Sequence, residues 1–307
     1  MKLLITGAWN CTEEELIAIN NMGHSVILMQ DESGALPDGA LECEGIICNG
    51  FFLYHDIDKF KFLKYIQLTS AGYDRIPMDK IKSRGITVFN ARGVYSIPMA
   101  EFALCGVLQL YKKSNSFYRS QENKKWEKRR DILELYGKNV LIVGCGNVGT
   151  ECANRFKAFG CRVIGVDLYI REDNAYEKIY PISELDNCLL KVDIVVLTLP
   201  LTKETRHIMN EQRFAKMREG SVLVNIARGA VLDEKALLKA LDEKLLGAVL
   251  DVFEEEPLSH SNPFWNKDNL IITPHNSFVG DGNAERLKQV ILSSLGEKYE
   301  KRRNANC

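Results

Sequence analysis

The stretch from Asn139 to Asp167, NVLIVGCGNVGTECANRFKAFGCRVIGVD, constrains the fold more than any other part of the chain. Asn139–Val143 is an uncharged, aliphatic run of the kind that forms a strand buried on both faces. Gly144, Gly146 and Gly149 follow in G-x-G-x-x-G spacing and lead into a stretch with helical periodicity. A second strand-like run, Arg162–Asp167, closes the unit. Strand, glycine turn, helix and strand in this order make a βαβ unit, which commits the chain to a parallel sheet covered on both faces.

The same turn carries chemistry. Its first two glycines permit a tight bend and the close approach of a pyrophosphate, while Gly149 lets helix pack on strand. The helix start offers free N–H groups and the positive end of a dipole to phosphates. Asp167 ends the second strand about 20 residues on, where an acidic side chain accepts hydrogen bonds from an adenosine ribose. Its charge repels a 2′-phosphate, so the pattern favours NAD over NADP; Arg171 nearby keeps NADP open. Cys145 lies in this loop beside a helix N-terminus, a setting that lowers a thiol's pKa. A redox switch follows from that setting, but a small apolar filler is the favoured reading.

The alternation continues along the chain. One series of strands is expected at Lys2–Thr6, Ser25–Met29, Gly45–Cys48, Tyr65–Leu68 and Ile86–Phe89. A second comprises Asn139–Val143, Arg162–Asp167, Asp193–Leu199, Ser221–Ala227, Ala248–Phe253 and Leu270–Thr273. Thr12 and Glu15 fit a capping box opening a helix that Gly23 closes. Pro98 suits the first turn of a helix running to about Leu110. The charged segment Lys112–Arg130 separates the two series, and Asn283–Lys301 reads as a final helix packing back onto one of the domains.

Composition narrows the function. The 307 residues suffice for two domains, and the contents of 46% hydrophobic and 26% charged residues are those of an ordinary globular chain. A net charge of −1 provides no bulk field for nucleic acid or an anionic membrane. The basic residues of Lys112–Arg130 alternate with Glu122, Glu127 and Asp131, so a solvated connector or subunit contact is favoured over nucleic-acid binding. No signal peptide or membrane span is apparent. Nine scattered cysteines without a C-x-x-C pair suit reduced thiols in a cytoplasm, with no disulfide framework or metal site.

In "SVLVNIARGA" a buried strand runs into Arg228, a costly residue to place beside a core. In parallel sheets ligands bind beyond the carboxyl ends of strands. Arg228, Glu256 and His275 are all expected there, as are Gly144 and Asp167. Reducing a ketone places negative charge on oxygen, and His275 is placed to supply the proton. Glu256 could orient that imidazole; Glu255 remains an alternative within the same acidic run. Arg228 could grip a substrate carboxylate in bidentate fashion. Together these groups describe interconversion of a 2-oxo acid and a 2-hydroxy acid. His24, His55, His207 and His260 have no comparable setting and read as surface or packing residues.

The stretches LPLTKETRHIMN, LVNIARGAVLDEKAL, GAVLDVFEEEPL, NPFW and NLIITPH resemble the signatures of the D-isomer-specific 2-hydroxyacid dehydrogenases, over nearly all of 65–295. TSAGYDRI and NARGVYSIPMAEFAL resemble that family's substrate-domain stretch and its crossing into the cofactor domain. The resemblance implies a Rossmann-type, doubly wound NAD-binding domain, residues 97–279. It is inserted into a smaller, flavodoxin-like α/β substrate domain formed by 1–96 and 280–307. It implies Arg228, Glu256 and His275 as the catalytic set: substrate binder, histidine partner and acid/base. It implies cofactor contacts from Gly144, Gly146, Asn147, Val148, Gly149, Asp167, Leu199, Pro200, Thr205, Ile226, Ala227, Arg228, Asp251 and His275. Substrate contacts are implied for Arg228 and His275 and for the backbone near Asn49, Gly50 and Gly72, and a homodimer through the cofactor domain is implied as well.

Two departures stand out. Asn147 replaces an arginine that the family often carries in the phosphate loop, removing one charged contact. The loop CNGFFLYHD is aromatic and lacks arginine or lysine, which disfavours a phosphorylated substrate, although Arg92 could supply a cation. The alternative to an enzyme is an NAD(H)-sensing, corepressor-like scaffold on the same fold.

Overall fold

Both strand series fold into parallel sheets in the computed structural model, which describes residues 1–298. The chain divides into two units: residues 1–95 with the segment from 280 onward, and residues 96–279.

The first unit contains β1 (Lys2–Thr6), α1 (Glu13–Asn21), β2 (Ser25–Met29), β3 (Gly45–Cys48), β4 (Tyr65–Leu68), α2 (Met78–Ser83) and β5 (Thr87–Phe89). Its strands pair in parallel in the order β2-β1-β3-β4-β5. From β1 the chain adds β2 on one side, then returns to add β3 on the other, so the winding reverses between β1 and β3. α1 opens on the expected capping box: Glu15 N–H donates to Thr12 Oγ1 at 3.3 Å, and Thr12 N–H donates to Glu15 Oε2 at 2.8 Å.

The second unit begins with α3 (Ser96–Tyr111) and α4 (Ser114–Glu122). It continues through β6 (Asn139–Val143), α5 (Asn147–Ala158), β7 (Arg162–Asp167), β8 (Lys178–Pro181), α6 (Leu185–Leu189), β9 (Ile194–Leu197), α7 (Glu211–Lys216), β10 (Val222–Asn225), α8 (Glu234–Glu243), β11 (Gly247–Leu250) and β12 (Leu270–Ile272). The strand order is β12-β11-β10-β9-β6-β7-β8, all parallel, with the winding reversing between β6 and β9. This is a doubly wound Rossmann-type sheet. α3 is buried through Ala100, Ala103, Leu104 and Val107, which pack in one cluster with Val140, Ile142, Val224 and Val249.

α9 (Asn283–Ser293) returns to the first unit, where Leu287 and Ile291 pack with Leu3, Ile5, Ile19 and Tyr65. Residues 299–301 of the helix expected at Asn283–Lys301 lie outside the described residues.

The structure adds two elements to the sequence expectation. α4 lies within the segment expected to be a solvated connector or subunit contact, and no residue of it is buried. β8 is an edge strand, short and ending in a proline. The expected strands at Asp193–Leu199, Ser221–Ala227 and Ala248–Phe253 also end two or three residues sooner, at Leu197, Asn225 and Leu250. The residues beyond those ends, mostly apolar but including Thr198 and Asp251, leave the ladder and become the loops at the sheet's carboxyl edge.

Candidate active site

Strand register brings the candidate residues of the second unit to one edge. Val143 pairs with Val166 and Leu197, Leu197 with Asn225, Asn225 with Leu250, and Leu250 with Ile272. The residues that follow each of these positions therefore emerge at the same end of the sheet. They include Gly144, Asp167, Leu199, Arg228, Asp251 and His275.

The glycine turn is tight on one side and open on the other. A Cβ on Gly144, at φ +98°, would lie 2.6 Å from Leu199 N, and one on Gly149 would lie 2.1 Å from Gly144 O. Neither clash is tolerable, so α5 can seat against the turn only with glycine at both positions. Above Gly146 no atom lies within 4 Å. α5 starts at Asn147, and no side-chain hydrogen bond from its N-cap, Gly146, closes that end of the helix. These features fit the pyrophosphate of NAD, which Gly146, Asn147 and Val148 would hold. Asp167 braces the turn: its carboxylate accepts from Cys145 N–H at 2.6 Å and Tyr169 N–H at 2.9 Å.

Two expectations about neighbouring side chains change. Cys145 is fully buried, and burial pushes its thiol up to about 12. Desolvation is the largest cause, so the pKa moves opposite to the expected direction, and the thiol serves as filler. Arg171 folds back onto the turn, donating to Cys145 O and approaching Asp173 Oδ2 at 3.3 Å.

Leu199, Ile226 and Ala227 are buried beneath the edge, whereas Pro200 is exposed. Thr205 ties the loop after β9, donating from Oγ1 to Pro200 O at 2.7 Å and accepting from Thr202 N–H at 2.7 Å.

Arg228 lies past the end of β10, half-buried, and donates from Nη1 to Ala227 O at 2.8 Å. The next residue explains the sharp turn. A Cβ on Gly229 would lie 1.9 Å from Phe253 C, so only glycine allows the Arg228 turn to press against residues 253–254. Two residues beyond that contact is Glu256. Its Oε1 accepts from Phe253 N–H at 2.9 Å and its Oε2 lies 2.8 Å from His275 Nδ1. Because a carboxylate only accepts, Nδ1 carries the proton and Nε2 is left for other work. Glu254 instead pairs with Arg206 at 3.0 Å and His207 at 2.6 Å. Glu256 is thus the member of the acidic run that meets His275.

His275 sits at φ +51°, a conformation a non-glycine residue holds only when its surroundings impose it. Asp251 imposes it. This carboxylate is fully buried and accepts from Thr273 Oγ1 at 2.7 Å, Asn276 N–H at 2.7 Å and Ser277 N–H at 2.9 Å. Its backbone carbonyl accepts from His275 N–H at 2.8 Å. Phe278 packs edge-on to the His275 ring at 6.1 Å, a contact with no sequence signal. The other histidines lie elsewhere: His24 beside the N-terminus at 3.1 Å, His207 on Glu254, His55 on the Glu32 carbonyl at 2.9 Å, and His260 exposed.

In the first unit, Gly72 O accepts from Ser70 Oγ at 3.1 Å. The amides of Asn49 and Gly50 are engaged by a residue that sequence reasoning missed: they donate to the carboxylate of Glu32 at 2.7 and 2.6 Å. The charged connector pairs internally, Asp131 with Lys113 and Arg129, and leaves Trp126 95% exposed. Among the described residues no group of three or more His, Cys, Asp or Glu could hold a metal ion, and no helix is long and apolar enough to cross a membrane.

A Rossmann-type sheet with a histidine–carboxylate pair at its carboxyl edge defines the class of nicotinamide-dependent α/β folds. Residues 104–277 match the family described as D-isomer specific 2-hydroxyacid dehydrogenase, NAD binding domain, and the chain belongs to that family. It is 35% identical over 252 residues to a D-3-phosphoglycerate dehydrogenase of Methanocaldococcus jannaschii, a match covering 78% of this chain and 48% of that one. The chain thus spans about half the length of that relative. It is 37% identical over 242 residues to a glyoxylate reductase of Thermofilum pendens, covering 76% and 71% of the two chains. The structure of a D-lactate dehydrogenase from Aquifex aeolicus, complexed with NAD and lactic acid, aligns with TM-score 0.78 and 28% identity over 97% of this chain and 96% of that one.

Proposed function

We propose that the chain is an NAD-dependent oxidoreductase interconverting a small 2-oxo acid and its D-2-hydroxy acid. The observation that carries this reading is the His275–Glu256 pair at the carboxyl edge of the NAD-type sheet. The nicotinamide, when bound, supplies or accepts the hydride. His275 hands a proton from Nε2 to the substrate oxygen as charge builds there. Glu256 holds Nδ1–H, which fixes the tautomer and the ring's aim, and Asp251 holds the loop that presents the ring. Arg228 offers a planar guanidinium that grips a carboxylate through two parallel bonds and draws electron density from the adjoining carbonyl. Asp167 disfavours a 2′-phosphate, and Arg171, already committed to the turn and to Asp173, does not offset it; this supports NAD over NADP. Glyoxylate, pyruvate and hydroxypyruvate are the substrates proposed.

The test is loss of NADH absorbance with each of these acids, and its gain with NAD and D-2-hydroxy acids. Turnover of at least one pair is expected. Folded protein that binds NADH but turns over none of them would sink the proposal.

A further inference from the structure

Three loops at the carboxyl edge of the second unit's sheet meet at one residue that the proposed reaction does not use. Glu254 lies two residues before Glu256, in the segment that leaves β11. Its Oε2 accepts from Arg206 Nη2 at 3.0 Å and its Oε1 lies 2.6 Å from His207 Nε2, both in the loop after β9. Its own N–H donates at 2.8 Å to Oε1 of Glu234, the first residue of α8. The loop after β9 is in turn stitched to the loop after β10: His207 N–H donates to Ala230 O at 2.9 Å, and Met209 N–H to Val231 O at 3.1 Å. His207 holds φ +49° there, a left-handed conformation that its surroundings must impose. Burial lifts the Glu234 carboxyl above its ordinary range, and the neighbouring charge of Glu254 adds to the shift. Arg206 supplies the opposite charge that holds the Glu254 carboxylate in place. Phe253 is anchored by burial, and Glu256 turns back to take its N–H, so Glu256 rides on the backbone that Glu254 fastens.

We propose that Glu254 is a positioning residue: it ties the 253–256 segment to the loops after β9 and β10, and so keeps Glu256 Oε2 on His275 Nδ1. The inference rests on the acid/base role proposed above for His275. Released from Arg206 and His207, the segment keeps its backbone tie to Glu234 but loses the side-chain tie that sets its height above the sheet edge. Glu256 then moves with it, and the His275 ring loses the partner that aims Nε2. A displacement of about 1 Å at a reacting group costs up to about 10²-fold in rate, so a tie this far from the substrate still reaches the chemistry.

Glu254→Ala should lower kcat about tenfold with the best of the proposed acids, while NADH affinity stays within about twofold of the wild type. Because Glu254 acts through Glu256, its loss should add little once Glu256 is gone. The double variant Glu254→Ala, Glu256→Ala should therefore match Glu256→Ala alone within about twofold. Full multiplication of the two losses overturns the proposal, and so does a Glu254→Ala enzyme with wild-type kcat. Parallel loss of NADH binding overturns it as well, being the mark of a general support for this edge. The geometry can also be read without turnover, from the ¹⁵N signals of the His275 ring, identified as those absent from His275→Gln. In Glu254→Ala they should move toward their positions in Glu256→Ala. Signals that stay at their wild-type positions overturn the proposal even in an inactive protein. A wild type that turns over no 2-oxo acid, with the signals moved in the variant, instead removes the proposed reaction and leaves the hold of Glu254 on the His275–Glu256 pair standing.

Discussion

Two loops of this chain do the same geometric job and treat their amides in opposite ways. Each follows a central strand at the carboxyl edge of a parallel sheet, next to the reversal of winding, and each has a carboxylate from the neighbouring segment beside it. At residues 144–149, Asp167 takes the amide of Cys145 but stays out of the opening above Gly146, where no atom lies within 4 Å. At residues 49–50, Glu32 takes both amides. One loop is braced from the side and left open to an anion. The other is filled by an anion of the chain's own. A parallel sheet supplies the donors in both places; at one an opening is left above the turn, and at the other a carboxylate of the chain takes two of them.

The largest expected effect lies at the edge of the open sheet. His275→Gln should lower kcat about 10²–10⁴-fold, the usual contribution of a positioned acid/base. NADH binding, followed by fluorescence, should persist, because the phosphate seat is built from other residues. Parallel loss of both would show that His275 supports the fold of this edge, and the assignment of chemistry to it would fall.

A matched pair of smaller changes sharpens the contrast between the loops. Gly146→Ala places a methyl in open space, so stability should change by less than about 0.5 kcal/mol. The same methyl stands where a pyrophosphate must approach, and NADH affinity should drop about tenfold or more. Gly50→Ala puts its Cβ 3.4 Å from Glu32 Oε2, an ordinary contact, and should leave NADH affinity unchanged. Equal NADH affinity in the wild type and in Gly146→Ala, measured by calorimetry, would contradict the reading of the first loop as the phosphate seat.

The open loop was legible in the sequence and the filled one was not, for physical reasons. Gly144, Gly149 and Asp167 belong to a local pattern: strand, turn, helix and strand must all be present, and each leaves its periodicity in the chain. The central strands show themselves because burial on both faces demands unbroken apolar runs such as Val140–Val143. Glu256 could be picked out of its acidic run only by its place before Pro257; the bond to His275 depends on two loops meeting. Glu32 lies in a polar, glycine- and proline-containing stretch and meets amides 17 and 18 residues away with no periodic signature. β8 and α4 were hidden for a related reason. An edge strand and a helix without buried residues need no apolar pattern.

Beneath their differing upper sides the two loops are alike, and cysteine chemistry can show it. Cys48 immediately precedes Asn49 and Cys145 immediately follows Gly144, and both side chains are fully buried. Burial pushes the Cys145 thiol up to about 12; it pushes Cys48 well above its ordinary value, with the Glu32 charge adding to the shift. At pH 8 a thiol with a pKa near 12 is ionised in only about one molecule in 10⁴, and the thiolate is the reacting form. Neither cysteine should therefore take up N-ethylmaleimide at pH 8 in the folded protein, and both should do so in denaturant, as read by peptide mass spectrometry. Prompt labelling of Cys145 in the fold would show that the turn does not rest on a closed core. Glu32→Gln removes only the lesser cause acting on Cys48, so that thiol should stay unlabelled in the variant. Labelling there would mean that the loop had opened, and that the Glu32 carboxylate holds it shut.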